Sequence, residues 1–217
     1  MLILIKGYIF DLDGTLLDSL DVWERVDYLF LEKRNIEMTR EYSEALLHMK
    51  FLESAKYTIE RYSLNETAEE VMEEWMNLSK ELYNTIVVLK KGAFEYLYQL
   101  KKQGYQLAIL TSCHQELFEP CLRKFGIFDL FDVIVEANKV HMNKTQPQIY
   151  EYVLNNMNLH PNECVFFDDV CSSLETAKNV GIHIVGVNDS LSFHKDMEKL
   201  THHIIEDFTQ INTISII

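Results

Sequence analysis

Gly7-Tyr8-Ile9-Phe10-Asp11-Leu12-Asp13-Gly14-Thr15 decides the fold of this 217-residue chain. A short apolar run followed by two carboxylates two residues apart reads as a buried strand that presents both acids at its carboxyl end. In open α/β sheets that edge is where ligands sit. Gly14 lets the chain leave the strand sharply, and Thr15 has a hydroxyl that can bond across the turn. Neighbouring carboxylates repel one another unless a cation shares their site. A solvated Asp-Gly turn is the plain alternative for the stretch taken alone, and three signals further along weigh against it.

The texture of the chain changes twice. Residues 18–88 are helical in pattern and strongly charged. Val22, Val26, Leu29 and Phe30 recur at helical spacing, a second helical stretch covers residues 40–62, and a third covers 67–83. The third is capped by Asn65 or Thr67, with Val71, Trp75, Leu78 and Leu82 on its apolar face. Residues 16–88 hold 8 Lys/Arg against 16 Asp/Glu, which is −8 of the chain's formal −14. From Gly92 onward helices and strands alternate: helices at 92–102, 116–125, 148–156 and 173–180, and strands at 105–110, 133–135, 164–167 and 182–187. Alternation of this kind implies right-handed crossovers and a doubly wound, mostly parallel, Rossmann-like α/β sheet. The expected organisation is therefore an α/β core of residues 1–17 and 89–217, with an all-helical cap of residues 18–88 inserted after the first strand like a lid.

Three more segments carry chemistry. The strand ending at Leu110 delivers Thr111 and Ser112 to the acidic edge, where a hydroxyl and free backbone N–H groups suit a phosphoryl oxygen. Ser112 is equally suited to capping the next helix, and both roles can hold at once. Lys144 lies just before a helix with Pro147 in its first turn; a lone lysine is usually a solvated surface charge, but this position in an otherwise acidic protein favours a fixed counter-charge. Asp168-Asp169 closes the strand Cys164-Val165-Phe166-Phe167 as Asp11 and Asp13 close the first. Mg²⁺ favours an octahedral oxygen shell of one or two carboxylates, waters and substrate oxygen. Asp11 and Asp169 would supply side chains to it, with the backbone carbonyl of Asp13 and the neighbouring Asp168 completing the protein's share.

These four segments, in this order, resemble the haloacid dehalogenase-like hydrolase superfamily, with the match running through about residues 6–18 and 90–187. The resemblance implies that Asp11 is the nucleophile and Asp13 the general acid/base. It implies that Thr111 is the second-motif hydroxyl, Lys144 the third-motif lysine, and Asp169 with Asp168 the metal-binding acids. Gly92 matches the glycine that opens the helix after the lid. A helical insertion between the first two motifs is similar to the small-cap subclass of phosphoglycolate phosphatases and β-phosphoglucomutases. Thr145 replaces a common proline, Gln148 a common aspartate, and Ser173 an aspartate found in many relatives. Trp23 stands where phosphoglucomutases tend to carry a histidine.

The resulting expectation is a Mg²⁺-dependent phosphatase acting on a small phosphorylated metabolite through an aspartyl-phosphate. The rivals are a phosphomutase of the β-phosphoglucomutase type and a catalytically idle binding module. A pI near 4.9 argues against nucleic acid or an anionic membrane as partner. No run of residues is apolar for long enough to span a bilayer, and Lys6 and the acids follow residues 1–5 too closely for a secretory signal. Cys113, Cys121, Cys164 and Cys171 show no metal-ligand spacing, so reduced thiols and a cytoplasmic setting are expected. The assembly is read as monomer or dimer. Cys113-His114 is read as loop, because adjacent side chains seldom face one another, and His202-His203 lacks further ligands nearby. His48 and Lys50 are the candidate lid contacts, and residues 211–217 form an apolar end of open role.

Overall fold

The computed structural model describes residues 4–46, 49–189 and 194–213. The chain runs β1 (Gly7–Phe10), β2 (Leu17–Asp18), α1 (Val22–Glu32), α2 (Arg40–Leu46), α3 (Phe51–Tyr62), α4 (Ala68–Thr85) and β3 (Val88–Leu89). It continues through α5 (Ala93–Lys102), β4 (Gln106–Thr111), α6 (Gln115–Lys124), β5 (Val133–Glu136), α7 (Pro147–Met157) and β6 (Cys164–Asp168). The last elements are α8 (Cys171–Val180), β7 (His183–Val187), α9 (His194–Leu200) and β8 (Ile204–Ile205). Among the described residues, six strands form one sheet in the order β5-β4-β1-β6-β7-β8, every neighbouring pair parallel. β1 lies between β4 and β6, with Phe10 facing Ile109 on one side and Phe167 on the other. That register brings the chain after Phe10, Ile109 and Phe167 out at a single edge.

Period-two alternation divides β1 between two cores. Ile9 joins Phe166, Ala108 and Leu110 against Tyr150, Val153 and Leu174 from α7 and α8. Tyr8 and Phe10 face the other way into an aromatic layer: Phe10 stacks on Phe167 at 4.9 Å, and Tyr96 and Phe208 pack beside them. Gly92 starts α5 at φ +78°, and a Cβ there would lie 2.8 Å from the Thr209 backbone nitrogen, so only glycine fits. β8 and α9 lie beyond the last strand read from the sequence, and Ile211 is buried while residues 214–217 fall outside the described part.

The chain separates into two compact units, residues 1–20 with 87–217, and residues 21–86. A two-residue antiparallel ladder, Leu17 opposite Leu89 and Asp18 opposite Val88, ties together the outgoing and returning passages of the first unit. In the helical unit Thr67 is the N-cap of α4, exchanging bonds with Glu70 in a capping box. The helical stretch read at 40–62 is broken: α2 ends at Leu46 and α3 begins at Phe51. Lys50 there is extended, and its backbone N–H donates to the Glu53 carboxylate at 3.0 Å. An N-terminal acid three residues on closes a new helix start more favourably than continued helix would. Trp75, Phe30 and Phe51 form the aromatic centre of this unit, with Trp23 edge-on to Phe51 at 5.7 Å and 38% exposed.

Asp27 on α1 has a measurable consequence for stability. Thr58 donates its hydroxyl proton to the Ser54 carbonyl, so the Tyr42 hydroxyl donates to Thr58 at 2.8 Å and leaves the Asp27 carboxylate 3.4 Å away, weakly served. Burial therefore pushes Asp27 up to about 7. An unfolded aspartate titrates near ~4. Between those values the native state binds the extra proton, so stability falls as pH rises through that window and levels off above it. Asp27→Asn is expected to remove that slope and to stabilise the protein at pH 8 by about 2 kcal/mol, after screening of a half-buried group. Urea unfolding of both proteins at pH 5 and pH 8 checks it, and an equal slope in both would contradict it.

Candidate active site

The acidic turn is built by a tight backbone arrangement. Asp11 N–H still bonds Phe167 C=O at 2.9 Å, so Asp11 is fixed in the ladder. The Leu12 carbonyl then accepts from the N–H groups of Thr15, Leu16 and Leu17. Gly14 sits at φ +78°, and a Cβ there would come within 2.6 Å of Asp169 Oδ2. Conformation and space both demand glycine at this position. Thr15 Oγ1 donates to Asp169 Oδ1 at 3.3 Å, tying the later acid to the first turn.

Lys144 Nζ lies 2.7 Å from Asp11 Oδ1 and 2.8 Å from Asp168 Oδ2, all three groups buried. Asp168 gives its other oxygen to the Val170 N–H at 2.7 Å. Ligand oxygens of Asp11, Asp168 and Asp169 all lie within 4.8 Å of one another, and among the described residues this is the group able to hold a metal ion. Three carboxylates face one ammonium, an excess of negative charge in a dry setting. Burial opposes the Lys144 charge, but Asp11 and Asp168 outweigh it and hold the ammonium protonated. Burial also drives Asp11 well above the carboxylate range, against the pull of Lys144, with Asp168 and Asp169 adding to the rise. Asp169 is pushed up to about 7 by burial and then by Asp168. An all-oxygen donor set with unbalanced negative charge fits a hard divalent cation such as Mg²⁺.

The other expected site residues divide. The Asp13 carboxylate is outside the convergent group and accepts from Ser19 Oγ at 2.6 Å. Thr111 is buried at the end of β4, two residues past Ile109, and its hydroxyl accepts the Cys113 N–H at 3.0 Å. Ser112 is exposed, and its carbonyl accepts from Asn138 Nδ2. The expectation that Ser112 caps the next helix is corrected: His114 is the N-cap, and the Glu136 carboxylate takes the Gln115 N–H at 3.1 Å. A carboxylate reaching in from the adjacent strand outcompetes a local hydroxyl for a helix-start donor. His114 Nδ1 is engaged by Glu136. His48 lies outside the described residues, and Lys50 starts α3.

Ser19, Glu136 and Tyr150 carry weight the sequence reading did not give them. The Tyr150 hydroxyl lies 2.9 Å from the Lys144 carbonyl and 2.8 Å from the Ser173 carbonyl, bracing the lysine loop on α7 and α8. With one proton it serves one carbonyl at a time. Tyr150→Phe is expected to destabilise the fold by about 1–2 kcal/mol and to lower turnover severalfold by loosening Lys144. Unchanged denaturation and turnover would show that the brace is idle. In sequence the tyrosine is indistinguishable from a core aromatic; only its polar tip betrays it.

A family model described as haloacid dehalogenase-like hydrolase matches residues 8–187. A Thermotoga maritima protein named phosphorylated carbohydrates phosphatase is 27% identical over 188 residues, spanning 86% of this chain and 87% of that one. The phosphoglycolate phosphatase of Pseudomonas fluorescens is 26% identical over 184 residues, spanning 82% of this chain and 68% of its own. Among solved structures, a Thermotoga maritima protein with a provisional β-phosphoglucomutase assignment superposes with a TM-score of 0.85 at 25% identity. That superposition covers 97% of this chain and 100% of that chain.

Proposed function

From the premise that the chain belongs to the haloacid dehalogenase-like hydrolase family, we propose a Mg²⁺-dependent phosphatase that turns over a small-metabolite phosphomonoester through Asp11. The chain is a phosphoric monoester hydrolase by kinship with its named phosphatase relatives. The observation that carries the finer reading is the Lys144 ammonium 2.7 Å from Asp11 Oδ1, beside three convergent carboxylates. No helix among the described residues is long and apolar enough to cross a membrane.

In this reading an Asp11 oxygen attacks phosphorus in line, forming the acyl-phosphate bond as the ester P–O bond breaks. Asp13 gives its proton to the departing alkoxide. It then takes a proton from the water that attacks the phosphorus, which releases inorganic phosphate and restores the Asp11 carboxylate. Ser19 holds Asp13 on the rim of the turn between these transfers. Lys144 offsets repulsion between nucleophile and phosphate, and the Thr111 hydroxyl and the Ser112 N–H take phosphoryl oxygens. Asp11, Asp169 and the Asp13 carbonyl, with Asp168 beside them, would hold Mg²⁺, which supplies neutralisation of charge on the transferring group. Residues 1–17 and 89–217 carry this chemistry, and the helical insertion at 18–88 serves as the cap that selects the leaving group.

The test is inorganic phosphate release over a panel of sugar phosphates, nucleotides and two-carbon acid phosphates. Release is expected with Mg²⁺, lost after chelation and regained on adding Mg²⁺ back. No release from any ester with Mg²⁺ present would overturn the reading. Dependence on a bisphosphate activator, with isomerised sugar phosphate as product, would select the mutase instead.

A further inference from the structure

The mechanism above leaves the buried acid Glu136 unused. Glu136 closes β5 with its side chain 6% exposed, in register with Thr111 across the sheet. One carboxylate oxygen lies 3.2 Å from His114 Nδ1, and the other accepts the Gln115 N–H at 3.1 Å. Lys139 Nζ approaches the same carboxylate at 3.3 Å and also donates to the Gln115 side chain, which in turn bonds Glu119. The Ala137 N–H holds the Thr111 carbonyl at 2.8 Å, and Asn138 holds the Ser112 carbonyl at 3.0 Å. Residues 136–139 thus clamp the whole turn from Thr111 to His114.

The clamp fixes a tautomer. A carboxylate that accepts the Gln115 N–H is an acceptor towards the imidazole as well, so His114 carries its proton on Nδ1. In the neutral ring Nε2 is the remaining acceptor, on a side chain left 48% exposed at the same sheet edge as Thr111 and three residues from it. A half-exposed acceptor held three residues from Thr111, the hydroxyl that the phosphatase reading assigns to phosphate, is matched by a hydroxyl donor on the part of the substrate that is not transferred. A helix cap alone needs neither the histidine nor its exposure. We propose that His114, oriented by Glu136, is a specificity-determining residue that accepts a hydrogen bond from a leaving-group hydroxyl, which makes the substrates polyol or sugar phosphates. This rests on the phosphatase reading given above. Glu136 is a positioning residue, since it acts through His114.

The test compares kcat and KM for glycerol 1-phosphate, n-propyl phosphate and phosphoglycolate with Mg²⁺ present. His114→Ala is expected to lower kcat/KM for glycerol 1-phosphate about tenfold, mainly through KM. The same variant is expected to leave n-propyl phosphate within about twofold. His114→Gln, which keeps an acceptor oxygen, is expected to recover part of the loss. Glu136→Ala is expected to reproduce the loss of preference, and the double variant to prefer glycerol over propyl phosphate no less than His114→Ala alone. Equal losses on the glycerol and propyl esters, no loss on either, or a loss confined to phosphoglycolate would each overturn the assignment. Because His114 is half exposed, its variants fold whether or not the Glu136 variant does. Failure of the wild-type protein to release phosphate from all three esters and from the wider panel would instead count against the phosphatase reading.

Discussion

Asp11→Asn protein is expected to fold normally and to lose phosphate release by at least about 10⁴-fold. The amide keeps the size of the carboxylate, and its oxygen still accepts from Lys144, which sits 2.7 Å from Asp11 Oδ1. What disappears is the electron pair that attacks phosphorus, and no neighbour replaces it. Asp168 spends its oxygens on Lys144 and the Val170 N–H, and Asp169 is engaged by Thr15. The rate left is that of positioned water alone. Stability should move little or rise. Burial and two further carboxylates already penalise the ionised form of Asp11, so a neutral side chain relieves repulsion while Asp168 keeps Lys144 paired. Thermal melts of the metal-free proteins side by side, with steady-state phosphate release at matched purity, check both halves. Activity within about tenfold of wild type would refute nucleophilic attack by Asp11. Asp13→Asn separates the roles further: it should slow both formation and hydrolysis of the phosphoenzyme by about 10²–10⁴-fold. Acid quenching should then trap a covalent phosphate that the Asp11 variant never forms.

The sheet and the convergence at its edge were legible because each rests on local pattern. Apolar strand runs ending in Asp11, Thr111 and Asp168 place their last residues at one edge once parallel crossovers are granted, and the observed register does this. Lys144 was legible because Pro147 fixes a helix start after it. The pairing of Asp168 with Lys144, in contrast, depends on tertiary distance, and nothing in Asp168-Asp169 says which acid turns to the lysine. Glu136 was hidden for the same reason. A glutamate closing a strand looks like an edge charge until the neighbouring turn folds over it. The break at Met49 and Lys50 was missed because helical periodicity persists through it. β8 was missed because two residues, Ile204 and Ile205, carry no readable alternation. Ser19 shows the opposite case. Its hydroxyl lies six residues from Asp13, inside the stretch that drew attention first, yet only the turn at Gly14 brings the two together.

Lys144→Ala is the substitution in which stability and chemistry should fail together. Removing the ammonium leaves Asp11 and Asp168 buried, their 2.7 and 2.8 Å partner gone, with Asp169 alongside. Deleting one member of a buried ion cluster typically costs about 3–5 kcal/mol, because the remaining charge is stranded rather than because the pair was strongly favourable. The sign with pH follows. Stranded carboxylates bind protons more tightly in the native state than in the unfolded chain, so the deficit is small in mild acid and grows as pH rises above the unfolded aspartate value. Metal-free Lys144→Ala should accordingly melt close to wild type near pH 4 and far below it at pH 8. Millimolar Mg²⁺ should return part of the difference, and more of it than in wild type, because a cation that binds only the folded cluster stabilises by mass action. Turnover with Mg²⁺ should still be lower by about 10²–10⁴-fold, since the metal replaces charge but not a donor fixed against the nucleophile. Lys144→Arg should rescue little: one compact ammonium bridges two separate carboxylates here, and a planar guanidinium has neither the room nor the geometry to do so. A Lys144→Ala protein whose melting temperature at pH 8 matches wild type without metal would mean that the three acids are not charged together. The electrostatic argument for a divalent cation at this edge would fall with it.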